Sequence, residues 1–183
     1  YATKGALSEI LSQEDKSLAP HEWDDTQKLI CIYGIALGMS YLHENNIIHR
    51  DLKPGNILVD EYLFPKISDF GLSKIENTSN SLLKMKSEAG PKGTVAYMAP
   101  EIFSAEKYSE KSDVFAYSMI LYQIETLKVP FENLNGYQIA LNIQDGKRPT
   151  IGDHVHDAYR QLIQKCWSQD PEKRPKFDEI VNE

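Results

Sequence analysis

The chain has 183 residues, of which 41% are hydrophobic and 26% are charged, a composition typical of one globular domain with a substantial core. Its formal net charge is −7, with 27 acidic residues against 20 basic ones, which argues against a nucleic-acid partner because phosphate binding needs clustered Lys and Arg. No apolar run approaches the roughly 18 residues that a membrane-spanning helix needs, so the sequence predicts no membrane span.

The first half of the chain contains a long predicted helix, a polar loop and a hairpin. The helix begins at Asp24, because Gln27 stands three residues later as in a capping box. Residues 49–56 are too polar for a regular element and contain a proline, and the short apolar runs 57–59 and 63–67 flank a turn, which predicts a β-hairpin. The helix is predicted to be buried nearly all round, because apolar residues lie on every side of it: Leu29, Ile30, Cys31, Ile32, Tyr33, Ile35, Ala36, Leu37 and Met39.

The second half is predicted to be helical after a long loop. Residues 72–93 are rich in Ser, Lys, Asn and Gly and predict that loop. Residues 114–124 are apolar on every face and predict a central buried helix, and residues 137–144 predict a short helix. A stripe from Val155 to Trp167 and the stretch 177–183 predict two further helices. The expected fold class is therefore α+β, mainly helical, with one short hairpin.

The two cysteines, Cys31 and Cys166, each lie within an apolar helical pattern. This placement favours two buried thiols over a disulfide or a catalytic nucleophile. Reduced thiols in turn favour an intracellular, cytoplasmic setting, because disulfides persist in oxidising compartments.

The polar segment HRDLKPGN, residues 49–56, places a carboxylate, a cation and an amide close together. A second carboxylate, Asp69, follows the hairpin. Two such carboxylates could serve hydrolysis, metal binding or phosphoryl transfer, and their spacing alone does not choose. Their neighbours favour phosphoryl transfer, which needs a proton acceptor, oxygen ligands for Mg²⁺ and a cation beside the moving charge. Asp51, the Asn56 and Asp69 pair, and Lys53 supply these groups.

This polar segment resembles the catalytic loop of eukaryotic protein kinases. Two further motifs follow in the order that the family has, since DFG stands at 69–71 and APE at 99–101. The resemblance implies a catalytic loop at 49–56 and an activation segment at 69–101. Later stretches extend it over nearly the whole chain: 112–115 resemble the family's central helix, and 166–175 resemble its late arginine motif.

The resemblance also implies a role for each polar residue of the site. Asp51 would be the catalytic base, and Lys53 would contact the γ-phosphate of ATP. Asn56 and Asp69 would be the ligands of Mg²⁺. Lys53 and Thr94 stand where serine/threonine kinases have them, so the expected partner is a protein substrate with a serine or threonine hydroxyl.

Structural contacts are implied as well. Glu101 and Arg174 would form a buried ion pair, and Asp113 would brace the catalytic loop. Arg50 would receive a phosphate carried by the activation segment, a contact that can order such a segment. The candidate phosphorylation sites are Thr78, Ser79, Ser81 and Ser87.

The start of the chain, residues 1–7, resembles the hinge of the family. By that resemblance Ala2 and Leu58 would contact ATP, with Leu58 forming the floor under the adenine. No two of the ten glycines stand two residues apart, so there is no G-x-G phosphate loop, and no strand lysine precedes the catalytic loop. The expectation is a partial kinase domain over 1–183, comprising the hinge and the large lobe with the small lobe absent, and inactive on its own.

The stretch 93–101 and the pair Cys166-Trp167 look most like the tyrosine-kinase-like group of serine/threonine kinases. Some members of that group are dual-specific, so activity on tyrosine stays open.

Two rival interpretations remain. A pseudokinase or scaffold would bind partners without turnover, but the intact Asp51, Asn56 and Asp69 count against decay. A metallohydrolase would use the two carboxylates, but it explains neither Lys53 nor the later motifs. His154 and His156 stand two residues apart, and without a third ligand nearby they predict surface imidazoles and no metal site.

Overall fold

The structure is a computed structural model that describes residues 3–70, 92–104 and 106–183. It is mainly helical, with a two-stranded antiparallel hairpin. No helix of these three ranges has both the length and the hydrophobicity to cross a lipid bilayer. In chain order the elements are α1 (Leu7–Asp15), α2 (Asp25–Glu44), a 3₁₀ turn (Pro54–Asn56), β1 (Ile57–Val59), β2 (Pro65–Ile67), α3 (Lys92–Val95), α4 (Pro100–Phe103), α5 (Glu110–Thr126), α6 (Gly136–Gln144), α7 (Asp157–Cys166), a 3₁₀ turn (Pro171–Lys173) and α8 (Phe177–Asn182).

Helix α2 begins where the sequence predicts. The Asp24 side chain caps it by accepting a hydrogen bond from the backbone N–H of Gln27 at 2.9 Å. The prediction that this helix is buried nearly all round is wrong, because Leu29, Tyr33 and Leu37 are 50%, 49% and 50% exposed. Helices α5 and α8 and strand β2 pack against the other sides of α2. Among the described residues, no element packs to a comparable extent on the exposed stripe formed by Leu29, Tyr33 and Leu37.

The predicted hairpin is confirmed. Strands β1 and β2 pair in antiparallel register, with Ile57 opposite Ile67. The turn between them is closed by Asp60, whose Oδ1 accepts hydrogen bonds from the N–H groups of Tyr62 and Phe64. The strands are short, so the hairpin depends on packing against a helix for its stability.

Two glycines of α2 allow that packing. A Cβ atom on Gly34 would lie 2.7 Å from the ring of Pro65, and one on Gly38 would lie 2.7 Å from Cδ1 of Ile67. Because neither glycine has a side chain, strand β2 can approach the helix more closely than at any residue with a Cβ. The hairpin therefore rests on α2 at a fixed distance.

Helix α5 forms the centre of the core, and every residue from Ser112 to Ile124 is buried. Helix α7 packs along it. The predicted thiols are confirmed: Cys31 of α2 and Cys166 of α7 are free and fully buried. Burial raises the pKa of each thiol to about 12, which makes both unreactive at neutral pH.

The ion pair implied by the resemblance is present in the core. The two terminal nitrogens of Arg174 donate to different carboxylate oxygens of Glu101, Nη1 to Oε1 and Nη2 to Oε2, each at 2.8 Å. Both side chains are buried. The Nε of Arg174 donates to the carbonyl of Ser168 at 2.9 Å, and the guanidinium carbon lies 5.2 Å from the centre of the Phe115 ring. This bidentate pair joins α4, α5 and the 3₁₀ turn at 171–173.

We expect Arg174→Met to lower the free energy of unfolding by about 3–5 kcal/mol, because the Glu101 carboxylate would stay buried without its partner. The control is Lys147→Met, since Lys147 and Asp145 form a pair whose side chains are 64% and 63% exposed. Exposed pairs contribute about 0–1 kcal/mol. Urea unfolding followed by circular dichroism measures both variants, and equal small losses would contradict the role given to the buried pair.

Candidate active site

Residues 49–56 form a loop between α2 and β1, and one side chain attaches its backbone to α5. The carboxylate of Asp113, which is 2% exposed, accepts hydrogen bonds from the N–H groups of His49 at 2.8 Å and of Arg50 at 2.9 Å. Asp113 lies in the first turn of α5, where the helix dipole favours a negative charge. The predicted brace of this loop is therefore present.

The backbone of Arg50 is strained. Its φ of +71° lies in the left-handed region, which residues other than glycine rarely adopt. Such a conformation costs about 1–3 kcal/mol and persists only where the surroundings fix it. The N–H of this strained residue donates to Asp113 Oδ1, so the hydrogen bond helps to hold the backbone of Arg50 in this conformation. Helix α5 therefore holds the strained turn that leads into Asp51.

His49 ties the loop to the end of the hairpin and is fully buried. Its Nε2 lies 3.0 Å from the carbonyl oxygen of Ser68, and because a carbonyl only accepts, this nitrogen carries the hydrogen. Its Nδ1 then accepts from the N–H of Asp51 at 3.3 Å. One imidazole thus fixes the backbone of Asp51 relative to the residue before Asp69.

The structure brings Asp51, Lys53 and Asn56 into one cluster. The Oδ2 atom of Asp51 accepts from Nζ of Lys53 at 2.8 Å and from Nδ2 of Asn56 at 2.9 Å. The same Asn56 nitrogen donates to the Asp51 carbonyl at 2.8 Å. Both side-chain contacts fall on one carboxylate oxygen, and Oδ1 of Asp51 accepts from neither.

Asn56 and Asp69 lie at neighbouring positions because the hairpin pairs residues 57 and 67. The carbonyl of Asn56 accepts from the N–H of Ser68 at 2.9 Å and from its hydroxyl at 3.0 Å. Nδ2 of Asn56 donates to Asp51, so its amide oxygen Oδ1 is the side-chain atom left to bind a cation, and the Asp69 carboxylate is exposed. Carboxylate and amide oxygens are the ligands that Mg²⁺ prefers.

The described ranges contain no group of three or more His, Cys, Asp and Glu side chains that could hold a metal ion. That Asn56 and Asp69 hold Mg²⁺ stays a prediction, in which the cation would take its other ligands from water or phosphate. His154 and His156 are exposed, as predicted. The latter caps α7, because its Nδ1 accepts from the N–H of Ala158 at 3.2 Å.

Residues 4–6 run beside β1. The N–H of Lys4 donates to the Val59 carbonyl at 3.1 Å, and the N–H of Val59 donates to the Gly5 carbonyl at 2.9 Å. Leu58, which is half-buried, forms an antiparallel bridge with Ala6. Ala2 lies outside the described residues. The contacts of Ala2 and of Leu58 with a nucleotide stay predictions.

The contact implied for Arg50 also stays a prediction, because Thr78, Ser79, Ser81 and Ser87 lie outside the described residues. Among the residues that the structure does describe, the Nε atom of Arg50 is buried and has no hydrogen-bond partner.

A crevice beside Asp51 is lined by Arg50, Thr94, Tyr97, Met98 and Tyr108. Burial, together with the negative charges of Asp51 and Asp113, raises the pKa of Tyr108. Its phenol therefore keeps its proton at neutral pH and adds no negative charge to the crevice.

Sequence reasoning assigned no contact to two residues of this region. Thr94 accepts a hydrogen bond of 3.2 Å at Oγ1 from Nζ of Lys53. His43 lies with its Nε2 2.9 Å from Oδ2 of Asp113. The position of Thr94 shortly before the APE motif could have indicated its contact with Lys53. Nothing in the sequence near His43 indicates a partner on α5.

The whole chain, residues 1–183, matches the family profile described as protein tyrosine and serine/threonine kinase. Serine/threonine-protein kinase STY17 of Arabidopsis thaliana is 35% identical over 186 residues, which cover 99% of this chain and 30% of that protein. Serine/threonine-protein kinase CTR1 of Arabidopsis thaliana is 38% identical over 185 residues, which cover 100% of this chain and 22% of that protein. These matches confirm the resemblance to protein kinases and to the tyrosine-kinase-like group.

The chain spans between 10% and 30% of the length of the first curated relatives that it matches. The activity, substrates and partners of the whole protein are therefore proposals.

We expect Asp113→Asn to destabilise the chain by about 1–3 kcal/mol, the penalty for one buried donor left unpaired. Arg50 donates to Oδ1, whereas His49 donates to Oδ2, so either orientation of the amide turns its NH₂ group toward a backbone N–H. Denaturant unfolding of the 183-residue chain measures the loss.

Asp25→Asn is the matched control for this variant. Asp25 also lies in the first turn of a helix, but its side chain is fully exposed. Both substitutions therefore remove a negative charge from the first turn of a helix, and they differ in the buried hydrogen bonds. Equal losses of stability for both variants would contradict the bracing role of Asp113.

Proposed function

The chain belongs to the family of protein tyrosine and serine/threonine kinases, and on this premise we propose that it is part of an ATP-dependent protein serine/threonine kinase. The proposed reaction moves the γ-phosphoryl group of ATP to a serine or threonine hydroxyl of a protein substrate. The observation that carries the proposal is the cluster in which Lys53 and Asn56 hold one oxygen of Asp51 at 2.8 Å and 2.9 Å.

Asp51 is the proposed catalytic base. Because Lys53 and Asn56 occupy Oδ2, the proton of the acceptor hydroxyl passes to Oδ1. As the hydroxyl oxygen forms its bond to the γ-phosphorus, the bond from that phosphorus to the bridging oxygen breaks and ADP leaves. Proton transfer to a positioned base contributes about 10²–10⁴ to the rate.

Lys53 is the proposed γ-phosphate contact. Its ammonium lies between Oδ2 of Asp51 and Oγ1 of Thr94, at 2.8 Å and 3.2 Å, so its charge is fixed beside the proposed base. A fixed cation at this place stabilises the charge that develops on the transferred group.

Asn56 and Asp69 would hold Mg²⁺ through oxygen atoms. When bound, Mg²⁺ neutralises charge on the phosphates. The chain contributes the alignment of the two ligands: Asn56 is fixed through Nδ2 by Asp51, and the residue before Asp69 is fixed by both Asn56 and His49. This support orients the oxygens before any cation arrives.

The residues around Asp51 and the relatives of the chain support serine or threonine as the acceptor. Lys53 occupies the catalytic-loop position implied by the resemblance, and Thr94, which the resemblance also places as in serine/threonine kinases, contacts it. The relatives STY17 and CTR1 are each named as serine/threonine-protein kinases.

We further propose that residues 1–183 are the hinge and large lobe of a kinase domain, with Ala2 and Leu58 at the adenine and a small lobe as the partner above them. In this proposal the activation segment 69–101 carries a phosphate that Arg50 binds, and the buried Nε of Arg50 supports that contact. The free thiols Cys31 and Cys166 support an intracellular setting.

We expect Asp51→Asn in the whole protein to lower kcat by about 10²–10⁴, because the amide cannot take the proton. Transfer of labelled phosphate from ATP to a library of serine, threonine and tyrosine peptides measures the rate and the acceptor. Asp145→Asn is the control, because this exposed carboxylate at the end of α6 lies outside the site.

Full activity of the Asp51→Asn variant would contradict the role of the base. Absence of transfer by the unmodified whole protein, with partner binding retained, would instead favour a pseudokinase scaffold. The isolated chain is proposed to be inactive because it contains no G-x-G phosphate loop, and transfer by the isolated chain that Asp51→Asn abolishes would refute this part.

A further inference from the structure

We propose that a groove between α2, α7 and α8 binds a basic amphipathic helix of a partner protein. The groove is separate from the candidate active site, because none of the residues proposed for phosphoryl transfer lines it. The inference therefore goes beyond the proposed function, and the experiments that test it need no turnover.

The groove is large and has an apolar interior. Its volume is about 870 Å³, which lies within the range of protein sites that hold a ligand. The most buried residues that line it are Ile32 and Ala36 of α2, Tyr117 of α5 and Ile180 of α8. An occupant must therefore present apolar side chains to this interior.

The exposed stripe of α2 begins in the groove and continues beyond it. Leu29 and Tyr33 line the groove, and Leu37 follows four residues later on the same face of the helix. The stripe therefore extends about 12 Å along α2, which is roughly two helical turns. An elongated apolar strip beside a helix fits a second helix packed along it better than it fits a compact small molecule.

Glu125 gives the groove a negative charge that the chain leaves uncompensated. It is half-buried in the last turn of α5, where the helix dipole favours cations and opposes a carboxylate. Burial raises the pKa of Glu125, an effect that Lys28 opposes and that Asp25 and Glu14 reinforce. The ammonium of Lys28 pairs with Glu14, and Glu125 forms no ion pair with any residue that the structure describes. A Lys or Arg on the occupant would supply the missing charge.

The end of the groove where α2 begins is also acidic. Asp25 of the first turn of α2 lines the groove. Between residues 14 and 25 there is one lysine, Lys16, against five carboxylates: Glu14, Asp15, Glu22, Asp24 and Asp25. Such an excess attracts basic partners and repels anionic ones. The groove therefore selects a helix that combines an apolar face with basic residues.

The first test measures the binding of two labelled helical peptides to the 183-residue chain by fluorescence anisotropy. Both peptides have about 15 residues, a length at which a helix can form, and leucines on one face at the spacing i, i+3, i+4, i+7. One has lysines on its polar positions and the other has glutamates. We expect the lysine peptide to bind at least about tenfold more tightly. Equal binding of the two peptides would overturn the proposal.

The second test asks whether the lysine peptide occupies this groove. We expect Glu125→Gln, which removes the charge and keeps the size of the side chain, to weaken its binding about tenfold. Glu61→Gln, at an exposed glutamate of the hairpin turn, is the control and should leave binding unchanged.

Tyr33→Ser tests the apolar stripe in the same way. We expect it to weaken binding of the lysine peptide at least about fivefold, because tyrosines at the centre of an interface often contribute strongly. Its control is Tyr62→Ser, since Tyr62 is 71% exposed and does not line the groove. Binding that neither Glu125→Gln nor Tyr33→Ser weakens would reflect only the overall charge of the chain and would overturn the proposal.

Three further results would assign the groove to a different occupant, and each would overturn the proposal. Displacement of the peptide by decanoate, with decanoate binding unaffected by Glu125→Gln, would indicate an acyl chain. Dimerisation in sedimentation experiments that Tyr33→Ser abolishes would indicate a second copy of the chain. Binding of the peptide by the 183-residue chain and not by the whole protein would indicate another segment of the same protein.

Discussion

The carboxylate of Asp113 is the interaction on which the arrangement of the site depends. A buried charge is costly unless donors surround it, and here the donors are the backbone of the loop 49–56 and the imidazole of His43. The charge therefore cannot be satisfied without the loop, and the strained φ of Arg50 cannot be kept without the charge. This mutual requirement places Asp51 at a defined distance from the central helix.

The second constraint is the contact between the hairpin and α2. Gly34 and Gly38 let β2 lie against the helix, and the pairing of Ile57 with Ile67 then sets Asn56 beside Ser68 and Asp69. His49 joins the two constraints, because its ring contacts both the Ser68 carbonyl and the Asp51 N–H. The proposed base and the proposed metal ligands are thereby held by rigid elements, which is what a site preorganised for a transition state needs.

Local signals predicted much of this fold. Asp24 and Gln27 marked the start of α2, and the two apolar runs marked the hairpin, because capping and alternation act between residues close in sequence. The apolar composition of α2 did not predict its exposed stripe at Leu29, Tyr33 and Leu37, since hydrophobicity does not tell which faces of a helix other elements will cover. The ion pair of Glu101 and Arg174 could be predicted only from the resemblance, because the two residues are 73 residues apart in the sequence.

The site was predictable in its chemistry and less so in its support. Asp51, Lys53 and Asn56 lie within five residues of one another, and the structure brings them together. The contacts of Thr94 with Lys53 and of His43 with Asp113 span 41 and 70 residues, so no local pattern could reveal them. The most direct test of the account is a structure of the whole protein with Mg²⁺ and a non-hydrolysable ATP analogue. We expect Mg²⁺ on Asn56 Oδ1 and the Asp69 carboxylate, with Oδ1 of Asp51 open toward the acceptor and Asp113 still bonded to His49 and Arg50. A metal bound elsewhere, or a nucleotide whose γ-phosphate lies away from Lys53, would contradict it.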